Sequence, residues 1–497
     1  MRRNLLLIII LLLINLLQAA PGDIPVTRNL LESEHPEGTY QDFLENLIPR
    51  ETSCQEANRT HSRLRGTWLC VVEENLYNQL SDELSWWSSD LAQEEQNVVM
   101  LSWTGTSHAD LKAVILDYYI SDNIIGVFLL GELPVFWFEM WEDWDFDNTY
   151  NGNETWVDFP MDEYFADMDG IWSDFDNDGA YDSHEGEVAA EIAIGRLRGD
   201  NLSLAGTELE IIQNWFRRNN LYRNGVIADS DLALGYIDDD WESWQDEYHN
   251  ALLQAYENVE MVYEVNSTYA DDYRENRWNT DYEWIQVHVH SGPDAHYFYQ
   301  NNGSNYYLVH NNQIPSYDPQ ALFYNLFCCS NARFTEANAM GSLYVLGNNH
   351  GLGSIGSTKT GSMLTFENFY TPLGENETLG ESLRQWWNTT VDVDQEYIQG
   401  YRTWFYGIVL IGDPSLKTEY QPVSVIGDID YNGNIEAFDG SLVLQYSVGL
   451  NPSGTPLPWS PSLLHFADCD GNGSIEAYDA SLILQYFVGL IPAFPVE

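Results

Sequence analysis

Two adjacent cysteines, Cys328 and Cys329, end an apolar run, "ALFYNLFCC" (321–329), and two alternating histidines, His288 and His290, end another, "WIQVHVH" (284–290). A free thiol of pKa ~8.5 is mostly protonated at neutral pH and is then a weak nucleophile. An imidazolium beside it favours the thiolate, and the same imidazole can protonate a leaving amine. Cys329 and His290 are the candidate pair, and attack of the thiolate on a peptide carbonyl is the candidate chemistry. Backbone N–H groups of Cys329 and Gly292 could hold the oxyanion. Asp294 or Glu336 could orient the histidine. Each neighbour also has a plainer reading: Cys328 as a packed thiol, His288 as a core or supporting histidine, and His296, His310 and His350 as hydrogen-bonded or surface residues.

A metal reading of "HVHSGPDAH" fails on spacing. In the H-x-H-x-D-H zinc-hydrolase signature Asp and His follow at the fifth and sixth positions, whereas here they arrive at the seventh and ninth. Oxygen-rich loops are a different matter. Residues 427–450 and 467–490 repeat one another with a period of 40: "GDIDYNGNIEAFDGSLVLQYSVGL" and "ADCDGNGSIEAYDASLILQYFVGL". Acidic, amide or carbonyl oxygens fall at loop positions 1, 3, 5, 7, 9 and 12, and glycine at position 6 makes the sharp turn. The first loop offers Asp428, Asp430, Asn432, Asn434, Glu436 and Asp439, and the second Asp468, Asp470, Asn472, Ser474, Glu476 and Asp479. A third stretch, "DFDNDGAYDSHE", offers Asp174, Asp176, Asp178, Ala180, Asp182 and Glu185 in the same pattern. Its flanks read as strands, so the expectation is Ca²⁺ on a loop and not an EF-hand.

The elements that must position the thiol and the imidazole are strands alternating with helices. Strands are expected at 67–72, 97–103, 124–133, 191–197, 226–237, 284–290 and 321–327, with "SLYVLGNN" and "GSIGSTK" (342–359) continuing the pattern. Helical spacing falls at 76–94, 109–120, 202–218 and 243–257. That alternation predicts one α/β domain over 66–418, built on a parallel sheet. Reactive groups in such sheets gather beyond the carboxyl ends of the strands. His288 and His290 share a face of their strand, His290 lies at its end, and Cys329 ends the other run.

The chain has 497 residues and a formal charge of −57, from 77 acidic and 20 basic residues. Such a surface repels nucleic acid and anionic membranes, which are excluded as partners. Met1-Arg2-Arg3, an apolar stretch from Leu5 to Leu17 and a small-residue end predict a signal peptide over 1–20 and secretion. The stretch is too short to span a bilayer, and no later segment is apolar enough, so membrane insertion is not expected. Residues 21–65 read as a polar, irregular leader or pro-segment. Five cysteines make no disulfide framework, although Cys54 and Cys70 could pair.

The pieces "VHVHSGP", "YNLFCCSNARFTE", "GLGSIGSTKTGSML", "PMDEYFADMDGIWSD", "VFLLGELPVFWFE" and "YGIVLIGDPSL" resemble the gingipain family of cysteine peptidases over about 66–418. The order, histidine before cysteine by 39 residues, is also that of caspases, where the gap is about 50. The resemblance implies a caspase-like parallel-sheet sandwich with helices on both faces. It puts the catalytic histidine at His290 and the catalytic cysteine at Cys329, with Cys328 in the small-residue position before it. Basic P1 residues are what the family favours, and Asp162 or Asp167 could line such a pocket. Residues 426–491 resemble type I dockerins: a small all-α calcium-binding module that docks on a cohesin domain of a scaffold or cell-surface protein. Ala437-Phe438 and Ala477-Tyr478 occupy the positions through which dockerins usually recruit. The expectation is a secreted, calcium-binding cysteine endopeptidase acting on protein or peptide and held on a cohesin-bearing assembly. A catalytically silent component with the same fold and the same docking module is the alternative.

Overall fold

The computed structural model describes residues 37–60, 66–142, 155–228, 230–265, 267–300, 305–396, 401–420, 424–452 and 458–496. The expected signal peptide and the first part of the leader lie outside them. Eleven strands form one sheet: β1 Ser53–Arg59, β2 Gly66–Glu73, β3 Gln96–Thr104, β4 Gly126–Leu130, β5 Ala193–Leu197, β6 Leu232–Ile237, β7 Asn258–Val262, β8 Trp284–His288, β9 Phe323–Phe327, β10 Gly353–Ser357 and β11 Ile408–Gly412. Their spatial order is β1-β3-β2-β4-β5-β11-β10-β9-β8-β6-β7.

The sheet is two parallel halves set head to tail. Strands β3, β2, β4, β5 and β11 run one way and β10, β9, β8, β6 and β7 the other; the halves meet where β10 and β11 pair antiparallel, Gly353 opposite Gly412 and Ser357 opposite Ile408. The parallel sheet expected from the sequence is present, as two parallel blocks joined by one antiparallel pair. The reversal has a connective cause: after β10 the chain passes through helices Glu367–Gly374 and Leu379–Glu396 before β11 enters from the opposite end. The junction is tight. A Cβ on Gly195 of β5 would lie 2.6 Å from the Gly412 carbonyl oxygen, so only glycine fits there. Because the halves oppose each other, their carboxyl ends open on opposite edges, and the cysteine and histidine runs both belong to the second half.

The strands are continuous apolar runs because both faces are covered. Trp68 to Val72 and Val127 to Leu130 are each at most 2 % exposed. Three local expectations change. "SLYVLGNN" is not a strand: Met340–Leu346 is a fully buried helix, whose unbroken apolar run gave no period by which to tell the two apart. The leader is not irregular throughout. Tyr40–Asn46 forms a helix whose Tyr40 and Phe43 rings rest on Trp137, and β1 adds antiparallel to the edge of β3. Cys54 and Cys70 are both free, one exposed and one buried.

Residues 424–496 build a second hydrophobic cluster around Ile429, Leu442, Trp459, Leu463 and Ile483, with helices Ala437–Ser447, Pro461–Ala467 and Ala477–Phe487. The first and last of these pack side by side, Gly440 against Ala480 and Leu484. No helix among the described residues is long and apolar enough to cross a membrane.

Charge is also buried. Arg196, fully enclosed on β5, holds Asp162 through Nε (3.0 and 2.9 Å) and Nη2 (2.6 Å). Replacing Asp162 with alanine strands that guanidinium in the core. The expected loss is about 3–5 kcal/mol of unfolding free energy, read from urea denaturation; a loss below about 1 kcal/mol, the range of an exposed pair, would mean the pair is not structural.

Candidate active site and acidic loops

Three neighbouring strands of the second half overrun their pairing at the same edge. Ile237 of β6 pairs with His288 of β8, and His288 pairs with Phe327 of β9. The parallel register continues one step further, Val289 N–H donating to the Phe327 carbonyl at 3.2 Å. His290 and Cys329 each lie two residues past the paired positions His288 and Phe327, so the register brings both to one rim. The Ser291 hydroxyl then donates to the Cys329 carbonyl at 2.6 Å and ties the two loops together. Beyond β9 the chain turns sharply: Ser330 has φ +53°, and its N–H donates to the Lys359 carbonyl at 2.8 Å.

The residue that orients His290 is one the sequence reading did not single out. His290 Nε2 lies 2.7 Å from Asp240 Oδ2. A carboxylate only accepts, so this contact puts the proton on Nε2 and leaves the lone pair on Nδ1. Nδ1 is buried and has no hydrogen-bond partner among the described residues. Asp240 sits in the 3₁₀ turn Asp239–Trp244 that follows β6. Asp238 anchors that turn: its N–H donates to the His288 carbonyl (2.9 Å), and its carboxyl accepts from Thr268 Oγ1 and Tyr299 N–H (both 2.9 Å). Burial pushes the Asp238 carboxyl up to about 8. Trp241 and Tyr299 flank the imidazole, with ring centroids at 4.7 and 5.2 Å. The rim is covered: Cys329 is 1 % exposed and His290 3 %, while the Asp240 side chain is 51 % exposed.

The other candidates take different partners. Glu336 accepts from Gly38 N–H (2.7 Å) and lies 3.5 Å from Arg333 Nε, and Asn311 N–H donates to the Asp294 main-chain carbonyl; neither carboxylate holds His290. Gly292 N–H, the expected oxyanion donor, donates to the Ala295 carbonyl at 3.0 Å and closes the turn after His290. His288 is enclosed between Tyr248 and Phe327 and contacts Gln286 at 2.8 Å; burial holds its imidazole well below the usual range. His296 contacts the Tyr344 hydroxyl at 3.0 Å, and burial lowers it to about 3. His310 opens a short turn through Gln313, and His350 lies 3.7 Å from Asp318 on the surface. Burial pushes the Cys328 thiol well up, the state of a packed and unreactive cysteine.

Asp162 and Asp167 are both buried and engaged by side chains of the fold. Asp162 is consumed by Arg196. Asp167 holds His184 Nε2 (2.9 Å), Trp172 Nε1 (2.7 Å) and Gly170 N–H (2.7 Å), and His184 is itself stacked on Trp172 at 3.6 Å. Both carboxylates brace the fold.

The acidic loops gather their oxygens. Carboxylate atoms of Asp428, Asp430 and Asp439 lie within 4.8 Å of one another, as do those of Asp468, Asp470 and Asp479 and those of Asp174, Asp176 and Asp178. In each loop the position-1 aspartate accepts from the glycine N–H at position 6, at 2.9, 2.7 and 3.0 Å. Asp439 and Asp479 at position 12 accept from Glu436 N–H and Glu476 N–H, pinning each loop to the helix that follows. The short strands Ile171–Ser173 and Ser183–Glu185 flank the third loop. There a carboxylate from outside the loop joins the cluster. Glu185 is exposed, and the carboxylate that joins Asp176 and Asp182 within 4.8 Å is Glu139, from strand Trp137–Glu142. Burial and the charges of Asp178, Asp176 and Asp182 raise Glu139 to about 7. A carboxylate brought in from a strand more than 30 residues upstream leaves no spacing signal to read.

Comparison with known proteins agrees with this layout. The model of peptidase family C25 matches residues 78–419, and that of the type I dockerin domain matches 426–488. Among solved structures, a complex of the RgpB pro- and mature domains from Porphyromonas gingivalis is similar at 13 % identity over 71 % of this chain and 79 % of its own, with a TM-score of 0.47. Two complexes of the third ScaC cohesin with mutated ScaB dockerins from Acetivibrio cellulolyticus match at 37 % and 38 % identity. They cover 14 % and 15 % of this chain, 93 % and 94 % of their own, each with a TM-score of 0.13. No curated protein matches. With the family model spanning well over half its length, this chain belongs to peptidase family C25, the gingipain family, and carries a type I dockerin at its C-terminal end.

Proposed function

We propose that the protein is a secreted cysteine endopeptidase in which Cys329 is the nucleophile, His290 the general acid and base, and Asp240 the residue that positions His290. The observation that carries this reading is the common overrun of β8 and β9, which brings imidazole and thiol to one rim with the histidine already held through Nε2. Nδ1 then takes the Cys329 proton. The thiolate attacks the peptide carbonyl to give an acyl-enzyme, and the imidazolium protonates the departing amine. The same nitrogen afterwards draws a proton from water for deacylation, and the thiol is released. Asp240 keeps the productive tautomer and stabilises the imidazolium between these steps, as a hydrogen-bond acceptor.

The N-terminal segment fits an inhibitory pro-segment. Gly38 donates to Glu336 and accepts from Arg333 Nη2 at 2.6 Å, so the leader latches the loop that follows the nucleophile. The dockerin recruits a cohesin domain of a scaffold or cell-surface protein. Support for that surface comes from Phe438 (48 % exposed) and Tyr478 (53 %), at equivalent places on two helices related by the repeat. Calcium is proposed on both dockerin loops, on oxygens of the twelve residues named above, and on the loop 174–185, where Asp174, Asp176, Asp178, Ala180 and Asp182 are joined by Glu139 in place of Glu185. Bound there, the ion supplies positive charge that lets clustered carboxylates stay ionised side by side.

The burial of both reactive side chains favours a second reading, a catalytically silent member that keeps the fold and the docking module. Replacement of Cys329 by alanine separates the two. Hydrolysis of a positional peptide library, with Ca²⁺ present and the leader removed, is expected to vanish in Cys329→Ala and to persist in Cys328→Ala. Unchanged turnover in the former removes this nucleophile, and a wild type silent across the whole library supports the second reading.

Asp240→Asn should lower kcat by roughly 10²-fold or more, within the range ascribed to positioned acid–base groups, and leave KM nearly unchanged. For the loop at 174–185, Glu139→Gln removes a raised carboxylate from among like charges. It is expected to increase Tm in EGTA and to shrink the Tm gain produced by Ca²⁺. A Tm change of the same sign and size in both media would rule Glu139 out of the ligand set.

A further inference from the structure

The dockerin is not hung from the peptidase domain on a free tether. Its spacer helix Pro461–Ala467 lies on the helix Glu208–Arg223 of the peptidase domain, with Ser462 N–H donating to Asn220 Oδ1 at 2.9 Å in a fully buried contact. Asn220 is locked for this role: its Nδ2 donates to both carboxylate oxygens of Asp90, at 3.0 and 2.9 Å, on the neighbouring helix Ser81–Gln93. Trp86 of that helix donates through Nε1 to the Pro458 carbonyl at 3.3 Å, and Val226, just past the end of the other helix, packs into the dockerin's hydrophobic cluster. A buried main-chain amide paired with a pre-oriented side-chain amide marks a made interface, since either group left alone there would cost free energy.

One contact joins this interface to the first calcium loop. Tyr431 stands between Asp430 and Asn432, with φ +58°, and its ring meets Phe466 edge to face at 6.1 Å. Just ahead of the loop, Gly427 N–H donates to the carbonyl of the same Phe466, on the spacer helix, at 2.8 Å. The loop that gathers Asp428, Asp430 and Asp439 therefore also braces, through Tyr431 and Gly427, the spacer helix that lies on the peptidase domain.

We propose that the helix pair 81–93 and 208–223 is a receptor for the chain's own dockerin, and that the first calcium loop latches it through Tyr431. Calcium then does more than order the dockerin: it fixes how the active-site rim is aimed relative to the cohesin-facing helices, whose Phe438 and Tyr478 stay exposed in the docked state. This inference rests on the calcium reading of the dockerin loops.

Amide hydrogen exchange on the full chain, in a Cys329→Ala background that prevents self-cleavage, tests it. In Ca²⁺, residues 220–228 and 460–467 are expected to exchange at least tenfold more slowly than in EGTA, with β9 unchanged. Val226→Asp lies on the peptidase side and touches no loop ligand. It should abolish that protection in Ca²⁺ and leave a calorimetric Ca²⁺ titration unaltered, and Tyr431→Ala should do the same. Normal Ca²⁺ binding with equal exchange in both media, or a Val226→Asp chain that stays protected, overturns the latch alone. A titration without binding overturns the metal reading and the latch together.

Discussion

The whole site depends on one constraint, the parallel register of β6, β8 and β9. Parallel strands have no short turn to join them, so each returns through a crossover and can end at the same level as its neighbours. Here the levels coincide: His288 pairs with Ile237 on one side and Phe327 on the other, and Asp240, His290 and Cys329 follow three, two and two residues after Ile237, His288 and Phe327. A slip of one residue in β9 would turn every side chain of that strand to the other face of the sheet. Enclosed apolar faces on both sides forbid that slip, because Phe323, Leu326 and Phe327 are at most 1 % exposed. The level at which His290 and Cys329 stand is thus set by the core, and the loops that bear them fix only their orientation.

The second theme is how few positive charges the chain has and where it spends them. Of 20 basic residues against 77 acidic ones, several of the most enclosed are structural. Arg196 pairs with Asp162. Arg223 pairs with Glu94 and with Asp413 (2.8 Å), Arg402 with Asp394 (2.8 Å), and Lys359 with Glu142 (3.2 Å). Arg333, four residues beyond the cysteine, spends its guanidinium on the Thr358, Asp158 and Gly38 carbonyls. An ion pair in the interior seldom adds net stability, but it penalises any arrangement that separates its members. The surface left behind is strongly acidic.

Much of this could be read from the sequence, and the misses have physical causes. The alternation in "WIQVHVH" and the unbroken run "ALFYNLF" located two strand ends, because side-chain period and burial leave direct marks on residue type. The loop repeats were legible because a metal loop spaces its ligands along a single stretch. Asp240 was not, since it stands 50 residues from His290 among consecutive aspartates in "IDDDWESW" and nothing in its own neighbourhood sets it apart. Glu139 was hidden for the same reason. The reversal of direction between β10 and β11 leaves no trace either, as a strand buried on both faces reads alike whichever way it runs. Asp162 and Asp167 were visible as acids, but the arginine and histidine that claim them lie 34 and 17 residues away.

The orphaned Nδ1 of His290 carries the remaining weight. A buried acceptor without a partner costs about 1–3 kcal/mol, and a fold that needed only to pack could have filled this place with an apolar ring, as it does beside it with Trp241 and Phe327. Instead the ring is turned so that Asp240 takes Nε2 and the other nitrogen is left unsatisfied at the level of Cys329. Such a group is stable only if the surroundings over-determine its position, and the Asp238-anchored turn, Trp241 and Tyr299 do so from three directions. On the proposed mechanism the deficit is repaired when Nδ1 receives the thiol proton, so the cost is borne in the resting state and relieved as the reaction starts. The half-exposed Asp240 is the member of the trio nearest solvent, while the other two lie covered beneath the rim.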